Sequence, residues 1–99
     1  MKVLLMEKNL ILLSRIRQSL SQHQLRIGED YKDEEVVLIN IEQYPTEIIK
    51  SLKEKGAKVI AYCGHKNISL MDSAKAFGAD KVVPNSRIVN AKELLGDLE

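Results

Sequence analysis

The feature that most constrains this chain is an alternation of two patterns, kept at every joint but one. Short apolar runs are separated by segments whose apolar residues recur at helical spacing. The runs are Lys2–Met6 (KVLLM), Leu25–Ile27, Val36–Ile41 (VVLINI), Lys58–Cys63 (KVIAYC) and Lys81–Val83. A strand covered on both faces needs no polar side, so it reads as a continuous apolar run. Between the runs, Leu10, Leu13, Ile16 and Leu20 share one helical face. So do Ile48, Ile49 and Leu52, and further on Leu70, Met71, Ala74 and Phe77. Strands alternating with helices imply a parallel sheet with helices packed on both faces.

Punctuation residues set the expected boundaries. Asn9 and Asn67 are expected to cap helices, and Pro45 suits a first helical turn. Gly56 and Gly78 are expected stops, and Pro84 closes a short strand because it cannot donate to a ladder. Asn90 and Glu93 have capping-box spacing, with Val89 and Leu94 placed to staple the start of a last helix reaching Leu98. One joint departs from the pattern. Between Leu25–Ile27 and Val36 lies only GEDYKDEE, which is too short and too charged for a crossover helix. Parallel strands are usually joined by about a dozen residues or more, so the second crossover helix is expected to be short or missing.

The 99 residues suit one domain, 1–99, with a core of its own. Fifteen basic against fourteen acidic side chains give a net charge of +1, so no global field recruits nucleic acid or an anionic membrane. Four aromatic residues (three Tyr, one Phe) leave little for base stacking. A single cysteine, Cys63, excludes an internal disulfide and a cysteine-based zinc site. The start MKVLLMEKNLILL mimics a signal peptide, but Glu7 and Lys8 interrupt it and no small-residue cleavage site follows. No segment reaches the roughly 20 apolar residues that span a bilayer. The expectation is a reduced, cytoplasmic, soluble domain with no resident metal and no cofactor.

In an open parallel sheet the carboxyl ends of the strands form the ligand crevice. Four ends converge there: Glu7-Lys8-Asn9, Asn40-Ile41-Glu42, Cys63-Gly64-His65 and Pro84-Asn85-Ser86. On KVLLMEKN, VVLIN, VIAYCGH and FGADKVV, and on the spacing from Cys63 to Gly78-Ala79-Asp80, the chain resembles a response-regulator receiver domain. The resemblance implies a flavodoxin-like, doubly wound α/β fold with a five-stranded parallel sheet in the order 2-1-3-4-5. It also implies an acidic pair for magnesium, an acceptor aspartate, a hydroxyl, an aromatic switch and a lysine. Those positions fall on Glu7 and Lys8, on Asn40, on Cys63, on Val82 and on Asn85. The resemblance therefore points to a receiver-like module lacking the phosphoacceptor, a pseudo-receiver.

The individual residues carry competing readings. Asn40 lacks the carboxylate that aspartyl-phosphate chemistry needs, and a strand-end asparagine readily bonds loop backbone. Lys8 could substitute for a metal's charge beside Glu7, or be an exposed lysine at a helix start. Cys63 with His65 could form a nucleophile and base in a ligand-binding or enzymatic α/β domain, the alternative function, whereas unpaired cysteine commonly behaves as a small buried hydrophobe. Glu42 reads as a solvated loop carboxylate. The acidic loop with Glu29, Asp30, Asp33, Glu34 and Glu35 lacks the ligand order of a calcium loop. For the pseudo-receiver, a protein partner or a homodimer is expected on the Asn67–Leu98 face, through exposed Ile68, Ile88 and Val89.

Overall fold

A computed structural model describes residues 1–98; Glu99, the last residue of the expected domain, lies outside the described residues. The elements run β1 (Lys2–Met6), α1 (Leu10–Ser19), β2 (Gln24–Ile27), β3 (Val36–Asn40), α2 (Ile48–Glu54), β4 (Lys58–Cys63), α3 (Ile68–Ala76), β5 (Lys81–Pro84), α4 (Asn85–Ile88) and α5 (Ala91–Leu98). All strand pairings are parallel and the sheet order is β2-β1-β3-β4-β5. This is the doubly wound order that the resemblance implied.

The apolar runs divide by parity, as successive strand residues must. Val3, Leu5, Val36, Leu38, Ile60, Tyr62 and Val83 form one core layer with Ile16 of α1, Leu20 at its C-cap, Ile88 of α4 and Leu94 and Leu95 of α5. Leu4, Met6, Val37, Ile39, Val59, Ala61 and Cys63 form the other, beneath Ile49 and Leu52 of α2 and Ala74 of α3. Each fully buried Leu, Ile or Val contributes about 1.5–3 kcal/mol by leaving water. The central strands therefore anchor their carboxyl ends rigidly.

Helix ends follow the expectations in part. Asn9 Oδ1 accepts from Leu12 N at 3.0 Å, capping α1. Gly56 and Gly78 end α2 and α3 with φ of 92° and 101°, where a side chain would strain the backbone. Three expectations need correction. Pro45 does not begin α2: 45–47 form single turns bonded from Ile48 N to Pro45 O and from Ile49 N to Thr46 O, and the helix starts at Ile48. The Asn67 side chain makes no cap bond to α3. At α5 the Asn90 carbonyl accepts from Glu93 and Leu94 N, while Ser19 Oγ of α1 accepts from Lys92 N at 3.0 Å, tying the two helices together.

The second crossover helix is missing, as expected. Residues 28–35 pass from β2 to β3 without helix, and side chains do the work a helix would do. The Arg26 guanidinium donates to buried Glu34 through Nε (3.2 Å) and Nη2 (2.9 Å), and to Asp30 Oδ1 through Nη1 (3.0 Å). The Arg26 hydrogen bond, with its charge, holds the Glu34 carboxyl below its ordinary range against the opposing effect of burial. Tyr31 packs on the core layer beneath α2 and α3 and donates its hydroxyl to Glu34 O at 2.9 Å. Lys2 and Asp33 close the loop at 2.8 Å.

Candidate functional site

The crevice is built from the ends of β1, β3 and β4. Glu7 follows β1, Asn40 ends β3 opposite Tyr62 of β4, and all three share the parity of the α1-side core layer. Their side chains meet. Asn40 Nδ2 donates to Glu7 Oε1 at 2.9 Å and the Tyr62 hydroxyl donates to the same oxygen at 2.8 Å. Glu7 Oε2 accepts the backbone N–H of Lys8 at 3.0 Å and of Asn9 at 2.9 Å. Four donors thus surround one carboxylate that is 4% exposed. A buried carboxylate persists only where such donors replace water.

Tyr62 is fully buried, and burial followed by the Glu7 charge pushes its phenol far above the usual range, so it is a permanent donor. Asn40 uses its other end as well: Oδ1 accepts from Glu42 N at 3.0 Å, the loop-backbone bond expected of a strand-end asparagine.

Lys8 does not substitute for a metal beside Glu7. Its ammonium lies 4.8 Å from the Tyr44 ring centroid and 4.0 Å from Glu29, on the rim of the crevice. The reason is local: the Glu7 carboxylate already accepts the backbone N–H of Lys8, leaving the long stem free to fold outward over Tyr44. Tyr44 donates to Glu29 Oε1 at 3.1 Å, and its phenol is pushed up to about 12 by burial and then by Glu29. Gln43 Oε1 accepts from Lys8 N at 2.7 Å. The rim is thus closed by the chain's own side chains.

The Cys63 and His65 pairing is not formed as a nucleophile and base. The Cys63 thiol is fully buried against the α2–α3 core layer, near Asn67 O at 3.9 Å, whereas His65 is exposed. Burial, then the Glu42 charge, pushes the thiol up, the reverse of what a nucleophile requires. Glu42 is exposed, as expected of a loop carboxylate, and its oxygens also hold the neighbouring loop. Oε1 accepts from Gly64 N at 2.9 Å and Oε2 from Asn67 Nδ2. Val82 is half-buried on the α2–α3 side. Asn85 starts α4 apart from the network, and its Oδ1 is buried without a hydrogen-bond partner; the structure shows no group that offsets this. Among the described residues, no cluster of three or more His, Cys, Asp or Glu could hold a metal ion, and no helix is long and apolar enough to cross a membrane.

Ile68 is exposed and Val89 half-buried, but Ile88 is fully buried in the α1-side core. The expectation of an exposed Ile88 fails because 85–88 form the short helix α4, which turns Ile88 onto the sheet. Tyr62 and Gln43 escaped the sequence reading. Tyr62 carried a usable signal, since a tyrosine inside a strand buried on both faces must find an acceptor for its hydroxyl.

No protein-family model and no curated protein sequence matches the chain. Solved structures do. A response regulator from Thermotoga maritima superposes with a TM-score of 0.82 at 12% identity, covering 98% of this chain and 95% of that one. The chain has the receiver fold. A LuxR-family DNA-binding response regulator from Staphylococcus aureus gives 0.81 at 18% identity, covering 98% and 97%. The BeF3-activated receiver domain of DrrB, an OmpR/PhoB homologue from Thermotoga maritima, gives 0.78 at 18% identity, covering 99% and 97%.

Proposed function

We propose that this domain is a receiver-like signalling module that works by binding a protein partner, is not phosphorylated on aspartate, and has no catalytic activity of its own. The observation that supports this reading best is the Glu7 carboxylate. A carboxylate offers about four lone-pair sites, and here four donors of the same chain take them up. Magnesium demands hard oxygen ligands in near-octahedral geometry, and displacing four hydrogen bonds from a buried group opposes it. At the acceptor position stands Asn40, whose amide has no carboxylate oxygen for attack on phosphorus, and both of its ends are bonded. The fold shared with response regulators supports the signalling role.

The test is direct. Incubation with a small-molecule phosphodonor and magnesium, followed by intact-mass spectrometry, is expected to leave the mass unchanged. A magnesium-dependent gain of one phosphoryl group would contradict the proposal.

A further inference from the structure

The proposed binding role requires a surface, and one edge of the sheet supplies it. β2 is an edge strand, paired on one side only, with β1. Gln24 N donates to Met1 O at 3.1 Å and Gly28 N to Leu5 O at 3.2 Å. Alternation along the strand then turns the N–H and C=O of Leu25 and of Ile27 away from β1, toward solvent. No other backbone group of the described residues bonds these four. Natural edges are guarded by proline, a bulge, a free charge or a covering helix. The far edge, β5, ends in Pro84, which has no N–H. β2 has no proline, the crossover helix after it is missing, and its one charge, Arg26, is folded back onto Glu34 and Asp30.

The two sides of this edge differ. Leu25 packs on the α1-side core, and Ile27, 40% exposed, shares its parity. On the opposite side Gln24 and Arg26 border a cleft of about 290 Å³ with Lys2, Lys32, Asp33 and Glu34. Lys2 pairs with Asp33 and Arg26 with Glu34, so among the described residues Lys32 is the one charge lining the cleft without an ion-pair partner. We infer that β2 accepts an extended segment of a partner protein as a sixth strand, apolar where it faces Leu25 and Ile27 and carboxylate-bearing where it faces the cleft. Main-chain bonds to Leu25 and Ile27 supply the affinity, and the alternating apolar and acidic side chains supply the specificity. A second copy fits less well. Isologous pairing through both outward residues sets Leu25 against Ile27, and Arg26 directly against Arg26 of the second copy. The inference rests on the binding role proposed above but not on the absence of phosphorylation, which mass spectrometry reads separately.

The experiment is an amide NMR titration of the intact domain with a short capped peptide of alternating valine and glutamate. A fully N-methylated copy of the peptide, which has no backbone donors, and a valine–lysine twin serve as comparison probes. In the free domain the Leu25 and Ile27 amides are expected to exchange with solvent faster than that of Arg26. The valine–glutamate peptide is expected to slow that exchange and to shift residues 24–35. Binding is expected to weaken about tenfold with the N-methylated peptide, which leaves the protein unaltered, and likewise in I27P and K32E. I27P removes an N–H that β1 does not use. Four results would overturn the inference. They are no shift with the valine–glutamate peptide, shifts centred on the crevice or on Asn67–Leu98, equal binding of the N-methylated copy or the lysine twin, and a concentration-dependent dimer that protects the same two amides without peptide.

Discussion

Removing one hydroxyl measures how strongly the crevice network holds. Tyr62→Phe keeps the ring in its fully buried place and deletes only the donor 2.8 Å from Glu7 Oε1. A hydrogen bond to a charged group contributes about 1.5–3 kcal/mol, and here the acceptor is 4% exposed, so water cannot replace the lost donor. The expected loss is therefore about 2 kcal/mol, or a fall in Tm of roughly 8–16 °C for a domain near 100 residues. Urea denaturation at neutral pH should show the midpoint falling at constant slope, the sign of lost stability without a change in the surface exposed. Tyr44→Phe is the internal control. Its hydroxyl also reaches a carboxylate, but Glu29 has a side-chain exposure of 67%, so the loss should stay below about 1 kcal/mol. If Tyr62→Phe costs no more than Tyr44→Phe, the Glu7 network does not organise the crevice and the reasoning is wrong.

Other outcomes follow from the same geometry. Asn40→Asp sets a second carboxylate within hydrogen-bond distance of Glu7, and two like charges repel strongly in so buried a site. The variant should be nearly as stable as the parent in acid and lose stability as pH rises through neutrality, as thermal melts across pH would show. Glu34 works in the opposite sense: its folded value lies below the ordinary 4.5, so its contribution is present above that pH and lost as pH falls through the depressed value. Glu34→Gln should cost about 1–3 kcal/mol at pH 7 and flatten the acid limb of stability; an unchanged acid limb would refute the clamp. Cys63 should react with a thiol reagent only when the domain unfolds, because it is fully buried and its thiol is pushed up; rapid labelling of the folded protein at neutral pH would contradict this.

The sheet was legible because each central strand carries one unambiguous pattern. Val36–Asn40 and Val59–Cys63 are buried at every position, and such short apolar runs bounded by turn residues read as strands covered on both faces. The missing second helix was legible as a length, but its replacement was not. That Arg26 would reach Glu34, eight residues on, depends on a loop path that no periodicity encodes. The sequence names the strand-end residues of the crevice, but not their contacts. Of the two readings of Lys8, a substitute charge beside Glu7 or an exposed lysine at a helix start, the structure agrees with the second: adjacent residues at a strand end diverge, and Glu7 accepts the backbone N–H of Lys8 while the ammonium lies outward by Glu29. Glu42 and Asn67, 25 residues apart in sequence, meet across two loops, a contact that no local pattern encodes. Ile88 was misjudged because α4 is a single four-residue turn, too short to show a helical period.

The central claim is that Glu7 is already fully used by the chain's own donors. The most direct measurement follows the side-chain amide of Asn40 and the backbone amides of Lys8 and Asn9 by NMR during a magnesium titration. If Glu7 holds its four hydrogen bonds, those resonances stay in place to millimolar metal. Saturable shifts at all three groups, with a common dissociation constant, would mean that the carboxylate releases its donors to take up the ion, and the account would fail.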